Sequence, residues 1–263
     1  MKTALTIAGS DSSGGAGIQA DLKTFAAHKV YGMSVITALT AQNTSGVYAI
    51  ADTSAAMVSA QMEAVFCDIF PDAVKIGMVS SGDIAGAIAD GLEKYKPSNI
   101  VIDPVMVSTS NAALMADGVH KIMADRLFPL ADIITPNIPE AETLAEMKIG
   151  GVDDMLEAAR RICEITPAAI LIKGGHLDDT CDDLLYQNGE YVWFSSERID
   201  NPNTHGTGCT LSSAIAANLA NGSDMIAAVS AAKDYVLGAI KYGLKLGKGE
   251  HGPLNHAYSN GCK

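Results

Sequence analysis

Short runs of apolar and β-branched residues alternate along this chain with longer segments of helical periodicity. The short runs predict buried β-strands at residues 3–8, 33–41, 74–77, 99–102, 133–135 and 169–172. The longer segments predict helices at residues 18–28, 54–66 and 82–95, and in two alanine-rich stretches at 210–220 and 223–246. The pattern therefore predicts a repeated alternation of strand and helix.

The order of these elements predicts the fold class. Buried strands that alternate with helices are typical of a three-layer α/β/α sandwich with a mostly parallel central sheet. Asn188-Gly189 between two further apolar runs predicts a β-hairpin, since a type I′ turn needs positive φ. No linker or repeat divides the chain, so we expect a single domain over residues 1–263. Ligands of such sheets bind beyond the carboxyl ends of the strands.

Composition narrows the classes of function. Hydrophobic residues make up 48% of the 263 residues, which is enough for a large core. The net charge of −12 argues against a nucleic-acid partner. Five scattered cysteines without a C-x-x-C pair argue against disulfides and structural zinc. The first apolar run is too short for a signal peptide or membrane span, so we expect a cytoplasmic protein without a membrane partner.

A glycine-rich loop at residues 9–17 joins the first strand to the first helix. Its glycines permit positive φ and close approach of a ligand, which favours a substrate-contacting loop over a plain connection. The loop is not a Walker A motif, because no lysine follows the glycines. The second strand ends in Gln42-Asn43, without the acidic ribose-binding residue of a dinucleotide fold.

A second glycine-rich segment, residues 203–210, runs into the helix at 210–220. Unpaired N–H groups and the helix dipole at such a position attract negative charge. We therefore expect an anion site at Gly206, Thr207 and Gly208 for the charge that develops in phosphoryl transfer. Cys209 should have a lowered thiol pKa there, which favours a functional over a structural cysteine.

Polar side chains also end three other strands. Asn137 and Glu140 are spaced to hold magnesium beside a triphosphate, although the same spacing is typical of a helix capping box. Lys173 ends a buried strand, where a phosphate partner would explain it and snorkelling is the alternative. Asp103 can bind metal or orient a nucleophile, or it is a turn aspartate before proline. The small polar run 108–113 that follows it suggests a flap.

Together these segments resemble the ribokinase-like superfamily of sugar and vitamin kinases, which has an Asn-x-x-Glu motif and a glycine-rich anion hole. Most members end this hole with Gly-x-Gly-Asp, whereas this chain has Gly206-Thr207-Gly208-Cys209. Within the superfamily the chain is similar to hydroxymethylpyrimidine/phosphomethylpyrimidine kinases, over essentially its whole length. The runs that carry this resemblance are LTIAGSD (5–11), GGAGIQADLKT (14–24), TALTAQNT (37–44), KGGHL (173–177) and Gly249, Gly252, Pro253 and His256 in the tail.

The resemblance implies two successive ATP-dependent phosphorylations in thiamin biosynthesis. The first acts on a hydroxymethyl alcohol and the second on the resulting monophosphate, with Mg²⁺ as the metal. The resemblance also suggests a homodimer. On the acceptor side, it implies that Gln42 reads the aminopyrimidine edge, with Asp21 near the ring. The residues expected to line the ring pocket are Gly9, Met78 and Val105.

The resemblance assigns the remaining residues to phosphate chemistry. Cys209 should face the reacting oxygen, beside Gly206 and Gly208. The residues implied for ATP are Asn137, Lys173 and Thr207, and those implied for the metal are Glu140 and Asp103.

Two alternatives remain open from the sequence. A pyridoxal kinase of the same superfamily acts on a hydroxymethyl group too, although some cysteine-type members have a second cysteine in the flap, which here reads Val-Ser-Thr-Ser-Asn at 107–111. A non-catalytic vitamin-precursor binding protein on the same scaffold is the other alternative. The intact set of Asn137, Glu140, Lys173 and Cys209 argues against it.

Overall fold

The structure is a computed structural model that describes residues 1–106, 115–116, 118–175 and 181–258. The flap expected at 108–113 and His176 of the KGGHL run lie outside the described residues. The strands are β1 Thr3–Asp11, β2 Tyr31–Asn43, β3 Gly46–Asp52, β4 Ala73–Ile76, β5 Ile100–Ile102, β6 Ile133–Ile134, β7 Ala169–Ile172, β8 Asp183–Gln187 and β9 Glu190–Phe194. The helices are α1 Gly17–Ala27, α2 Ala55–Phe66, α3 Gly82–Tyr95, α4 Val119–Arg126, α5 Ile138–Ala145, α6 Val152–Ile162, α7 Thr207–Ala220 and α8 Met225–Lys241.

The described strands form one sheet in the order β3-β2-β1-β4-β5-β6-β7-β8-β9. Strands β2, β1, β4, β5, β6 and β7 pair in parallel. Strand β3 at one edge, and β8 and β9 at the other, are antiparallel. The mostly parallel α/β sheet predicted from the sequence is thus confirmed.

Two hydrophobic clusters cover the two faces of the sheet. One contains buried residues of α2 to α6, and the other contains those of α1, α7 and α8. Neighbouring residues of a strand enter opposite clusters, as Ala4 and Leu5 of β1 do, because successive side chains of a strand point to opposite faces. The three-layer sandwich places α1 and α7 side by side. This contact brings the two glycine-rich segments, at the starts of these helices, next to each other.

The structure contains one strand, β3, and two helices, α4 and α6, that the sequence pattern did not predict. Strand β3 was not predicted, because its residues are mostly exposed and lack a buried face. Helix α8 ends at Lys241, five residues before the predicted end. The hairpin turn is confirmed, with φ of 54° at Asn188 and 86° at Gly189. Among the described helices, none has the length and apolarity needed to cross a membrane.

Candidate active site

The strand order arranges the predicted site residues in a row. Parallel neighbours end at the same edge of a sheet, so residues near those ends become neighbours in space. In the order of the sheet, β2 to β7, these residues are Gln42, Gly9, Met78, Asp103, Asn137 and Lys173. Residues implied for the acceptor therefore occupy one half of the row and those implied for nucleotide the other, with Asp103 between them.

An ion pair joins Lys173, at the β7 end of this row, to Asp103, near its middle. Lys173 Nζ lies 2.8 Å from Asp103 Oδ1, and the Thr135 hydroxyl donates to the same oxygen at 3.2 Å. Burial opposes the charge of Lys173, but the carboxylates of Asp103 and Glu140 outweigh it and raise the lysine pKa. Lys173 therefore stays charged, with its side chain 15% exposed, and it is not a snorkelling lysine.

The start of α7 lies directly against this ion pair. A Cβ atom added to Gly208 would lie 3.3 Å from Asp103 Oδ2 and 3.5 Å from Lys173 Nζ. Gly206 is the N-cap with φ of 87° and no side-chain cap. The amides of Gly208 and Cys209 have no backbone acceptor among the described residues. Free amides beside a lysine make a suitable site for an anion.

The thiol of Cys209 departs from the expected ionisation. We expected a lowered pKa at this helix start, but burial raises the pKa to about 11 and outweighs the favourable charge of Lys75. The charges of Asp21 and Asp103 act in the same direction as burial. That expectation was therefore wrong, and the thiol is neutral near pH 7.

The Asn137–Glu140 motif forms a complete capping box. Asn137 Oδ1 accepts from the Glu140 amide at 2.9 Å, and Glu140 Oε2 accepts from the Asn137 amide at 2.8 Å. Glu140 is nevertheless buried, and burial raises the pKa of its carboxyl despite the charge of Lys173. A capping box does not require the glutamate to be buried or to lie near a second carboxylate such as Asp103. A metal role for Glu140 therefore stays a prediction.

The glycine-rich loop 9–17 is organised around Asp11, which the sequence analysis did not assign. Asp11 accepts from the amides of Ser13, Gly15 and Ala16 at 2.8, 3.1 and 2.8 Å. His205 Nε2 lies 2.9 Å from Asp11 Oδ2. Burial opposes the charge of Asp11, but the hydrogen bonds from His205 and Ser13 outweigh it and lower the pKa to about 2.

Gly15 of this loop and Gly206 have no room for a side chain, because other parts of the chain pack directly against them. A Cβ atom on Gly206 would collide with the carbonyl oxygen of Gly15, and one on Gly15 would collide with the His205 ring. The two glycine-rich segments therefore touch, as convergence of the site required. In the tail, Gly252 accepts from the His205 amide at 3.2 Å, and His256 contacts Thr210 of α7 at 3.0 Å.

The side chain of Gln42 faces this loop and is half-buried. Its amide nitrogen and oxygen lie 3.4 Å from His205 Nε2 and 3.2 Å from Thr40 Oγ1, respectively. His205 Nε2 must donate to the ionised Asp11, which only accepts, and Thr40 donates to the Ser10 carbonyl at 2.9 Å. The opposite amide orientation, with oxygen toward His205, therefore fits these partners better.

The remaining acceptor-side residues lie as follows. A Cβ atom on Gly9 would come 2.8 Å from Met78 Sδ, so these two residues are in contact. Val105 is half-buried just after β5. Asp21 is fully buried and its carboxylate is occupied by protein groups, so this arrangement disfavours direct contact with a ring. Lys75, its partner, was missed, although a lysine inside an apolar strand is a detectable signal.

Comparison with known proteins gives a consistent family. The family described as phosphomethylpyrimidine kinase matches residues 11–255. The hydroxymethylpyrimidine/phosphomethylpyrimidine kinase of Rhizobium meliloti is 51% identical over 257 residues, covering 96% of each chain. A thiamine biosynthesis bifunctional protein of Geobacter sulfurreducens is 49% identical over 96% of this chain, which spans only 51% of that longer protein.

Two solved structures extend the comparison. The phosphomethylpyrimidine kinase of Clostridium difficile has a TM-score of 0.83 at 50% identity, covering 92% of this chain and 100% of its own. An ADP complex of Bacillus subtilis pyridoxal kinase has a TM-score of 0.90 at 39% identity, covering 99% of both chains. The fold is thus common to both kinds of kinase, while sequence identity is higher with the pyrimidine kinase.

Proposed function

Because the chain belongs to the phosphomethylpyrimidine kinase family, we propose that it phosphorylates a hydroxymethylpyrimidine and then its monophosphate, with ATP as donor, in thiamine biosynthesis. The observation that carries this proposal is the position of Gly208 against Asp103 and Lys173. There, the free amides of α7 lie between the acceptor half and the nucleotide half of the row. A phosphoryl group in transfer would meet them at that point.

The acceptor half supports an aminopyrimidine. An aminopyrimidine presents an N–H donor beside a ring-nitrogen acceptor, and the carboxamide of Gln42 offers both complementary groups. Its orientation is constrained by His205 and Thr40. Gly9, Met78 and Val105 would form the apolar walls around the ring. An unmatched buried polar group costs about 1–3 kcal/mol, so a ligand without this edge should bind about tenfold or more weakly.

The nucleotide half supports a triphosphate. The positive charge of Lys173 lies beside the amides of α7, and both attract phosphate oxygens. Thr207, in the first turn of α7, and Asn137, which pairs with Lys173 in a parallel bridge, border the same space. We assign ATP contacts to these three residues.

The residues present fit a magnesium ion bound together with the nucleotide. Glu140 and Asp103 are buried carboxylates, and burial raises the pKa of Glu140, so a cation would relieve their charge. No cluster of three His, Cys, Asp or Glu side chains forms a metal cage within the described part of the chain. Mg²⁺ typically uses one or two carboxylates plus substrate phosphates and water. When bound it would offset charge on the phosphates.

The neutral thiol of Cys209 suits two acceptors of different charge. An alcohol loses its proton late in a loose transition state, so it needs little help from a strong base. A monophosphate is already anionic, and a fixed carboxylate at this position would repel it. A thiol with a pKa of about 11 can hydrogen-bond to either acceptor. We also propose a cytoplasmic location and a homodimer, from the family resemblance.

A turnover assay tests the proposal. The chain is incubated with ATP, Mg²⁺ and either hydroxymethylpyrimidine or pyridoxal, and products are separated by mass. We expect the pyrimidine monophosphate first, then the diphosphate, and a higher kcat/KM than with pyridoxal. Preference for pyridoxal would instead favour the activity of the Bacillus subtilis relative. Tight binding without turnover would favour a non-catalytic binding protein.

A further inference from the structure

A buried ion pair between Lys75 and Asp21 lies beneath the start of α7. Lys75 Nζ lies 3.0 Å from both carboxylate oxygens of Asp21, and both side chains are 0% exposed. The hydroxyls of Thr6 and Ser213 each donate to Asp21 at 2.6 Å. The other residues of β4 are apolar, so Lys75 introduces a charge into the interior of the sandwich. A buried charge of this kind is costly unless it has a role or a partner.

Two contacts, one helical turn apart, connect this ion pair to Cys209. On α7, Ser213 follows Cys209 by four positions, and on α1, Asp21 follows Gly17 by four. Ser213 donates to Asp21 at 2.6 Å, while the backbone amide of Gly17 lowers the pKa of the Cys209 thiol. Residues four apart lie on the same face of a helix. Cys209 therefore lies about one turn from the ion pair.

Charged groups from four elements face the thiol. Lys75 of β4 favours the thiolate, whereas Asp21 of α1 and Asp103 after β5 disfavour it. Lys173 after β7 also interacts with Cys209. Burial is the largest effect and raises the thiol pKa, whereas Lys75 lowers it, because an adjacent ammonium stabilises a thiolate. Asp21, which binds Lys75 through both carboxylate oxygens, opposes this lowering of the thiol pKa.

We propose that Asp21 is a positioning residue that offsets the charge of Lys75 and thereby, together with burial, keeps the Cys209 thiol uncharged in the free enzyme. The proposal deepens the proposed function and rests on it. An uncharged thiol accommodates both the alcohol and the anionic monophosphate, whereas a thiolate would repel the second acceptor. The two members of one ion pair thus have opposite effects on the same thiol.

Alkylation of Cys209 tests these opposite effects. The metal-free protein is treated with iodoacetamide over a range of pH, and peptide mass spectrometry isolates Cys209 from the other cysteines. Asp21→Asn should react faster, with a lower thiol pKa; a fall of one pH unit gives about tenfold more thiolate. Lys75→Met should react more slowly. Loss of structure alone would change both variants in the same direction.

Two controls make the comparison independent of stability. Lys233→Met breaks another buried ion pair, whose Lys233 Nζ lies 2.8 Å from Asp183 Oδ2, and it should leave Cys209 alkylation unchanged. The double variant D21N/K75M carries neither charge and should react at an intermediate rate. Should one single variant fail to fold, the double variant is the reference for the other. The proposal is overturned if D21N reacts no faster than the double variant, or if K75M reacts no more slowly than the double variant. It is also overturned if K233M accelerates alkylation as much as D21N does.

Turnover separates this inference from the proposed function. In D21N, kcat/KM for the monophosphate should fall relative to that for the alcohol at a lower pH than in wild type, because the thiolate repels only the monophosphate. A wild-type protein inactive on both pyrimidines would refute the proposed function and leave the alkylation result standing. Wild-type activity on both, with the same pH profile of the two kcat/KM values in D21N, would overturn the role given to the uncharged thiol.

Discussion

Replacement of Asp11 by asparagine removes the charge that organises the glycine-rich loop. The carboxylate accepts from three loop amides and from His205, and the asparagine NH₂ would face donors. The pKa of Asp11 falls from 3.8 to about 2 on folding. At about 1.4 kcal/mol per pH unit, this corresponds to about 2 kcal/mol of stability. For a chain of this size, that is a fall in Tm of about 4–8 °C.

The pH dependence has a definite sign. Because the folded-state pKa is depressed, the contribution of Asp11 is complete above about pH 4 and is lost as the pH falls through about 2. The free energy of unfolding should therefore differ between wild type and Asp11→Asn by a constant amount from neutral pH down to about pH 5. The difference should shrink at lower pH.

Urea unfolding at a series of pH values measures this difference. Asp72→Asn is a matched control, since Asp72, like Asp11, accepts from a side-chain nitrogen (that of Lys2) and from a backbone amide, but its side chain is 33% exposed. Solvent screening should make its loss much smaller. Equal losses in the two variants, or an Asp11→Asn loss that persists unchanged below about pH 3, would refute the reasoning.

Three further predictions concern the active site. Cys209→Asp should retain phosphorylation of the alcohol but lose kcat/KM for the monophosphate by ~10²-fold or more, because like charges repel; equal losses would show that charge is not what matters there. Glu140→Gln should preserve thermal stability, since glutamine also serves in a capping box, but raise the Mg²⁺ concentration needed for half-maximal rate; an unchanged requirement would leave Glu140 with the cap alone. Gln42→Leu should lower kcat/KM for the pyrimidine about ten- to a hundredfold and pyridoxal turnover less; an unchanged ratio, with reduced stability, would mean that Gln42 only supports the β2 turn.

Much of the fold was readable from local patterns. Strand ends such as Asp103-Pro104 and Lys173-Gly174 were predicted because apolar runs stop there, and parallel strands share an edge. The β3 strand was missed because an exposed edge strand has no buried face to produce alternation. The Asn137–Glu140 spacing was compatible with both capping and metal binding. The structure established the cap without removing the second possibility.

Only the tertiary structure decided how these segments act on one another. Asp11 and His205 are 194 positions apart, and no local pattern indicates that they pair. The raised pKa of Cys209 follows from burial and from Asp21 and Asp103, although the helix start alone predicted the opposite. Sequence by itself determined the order of elements, the residues that end them and the family resemblance, because these depend on neighbours along the chain. The charges that meet at the site depend on packing between distant elements, and burial changes their energies by more than any local signal.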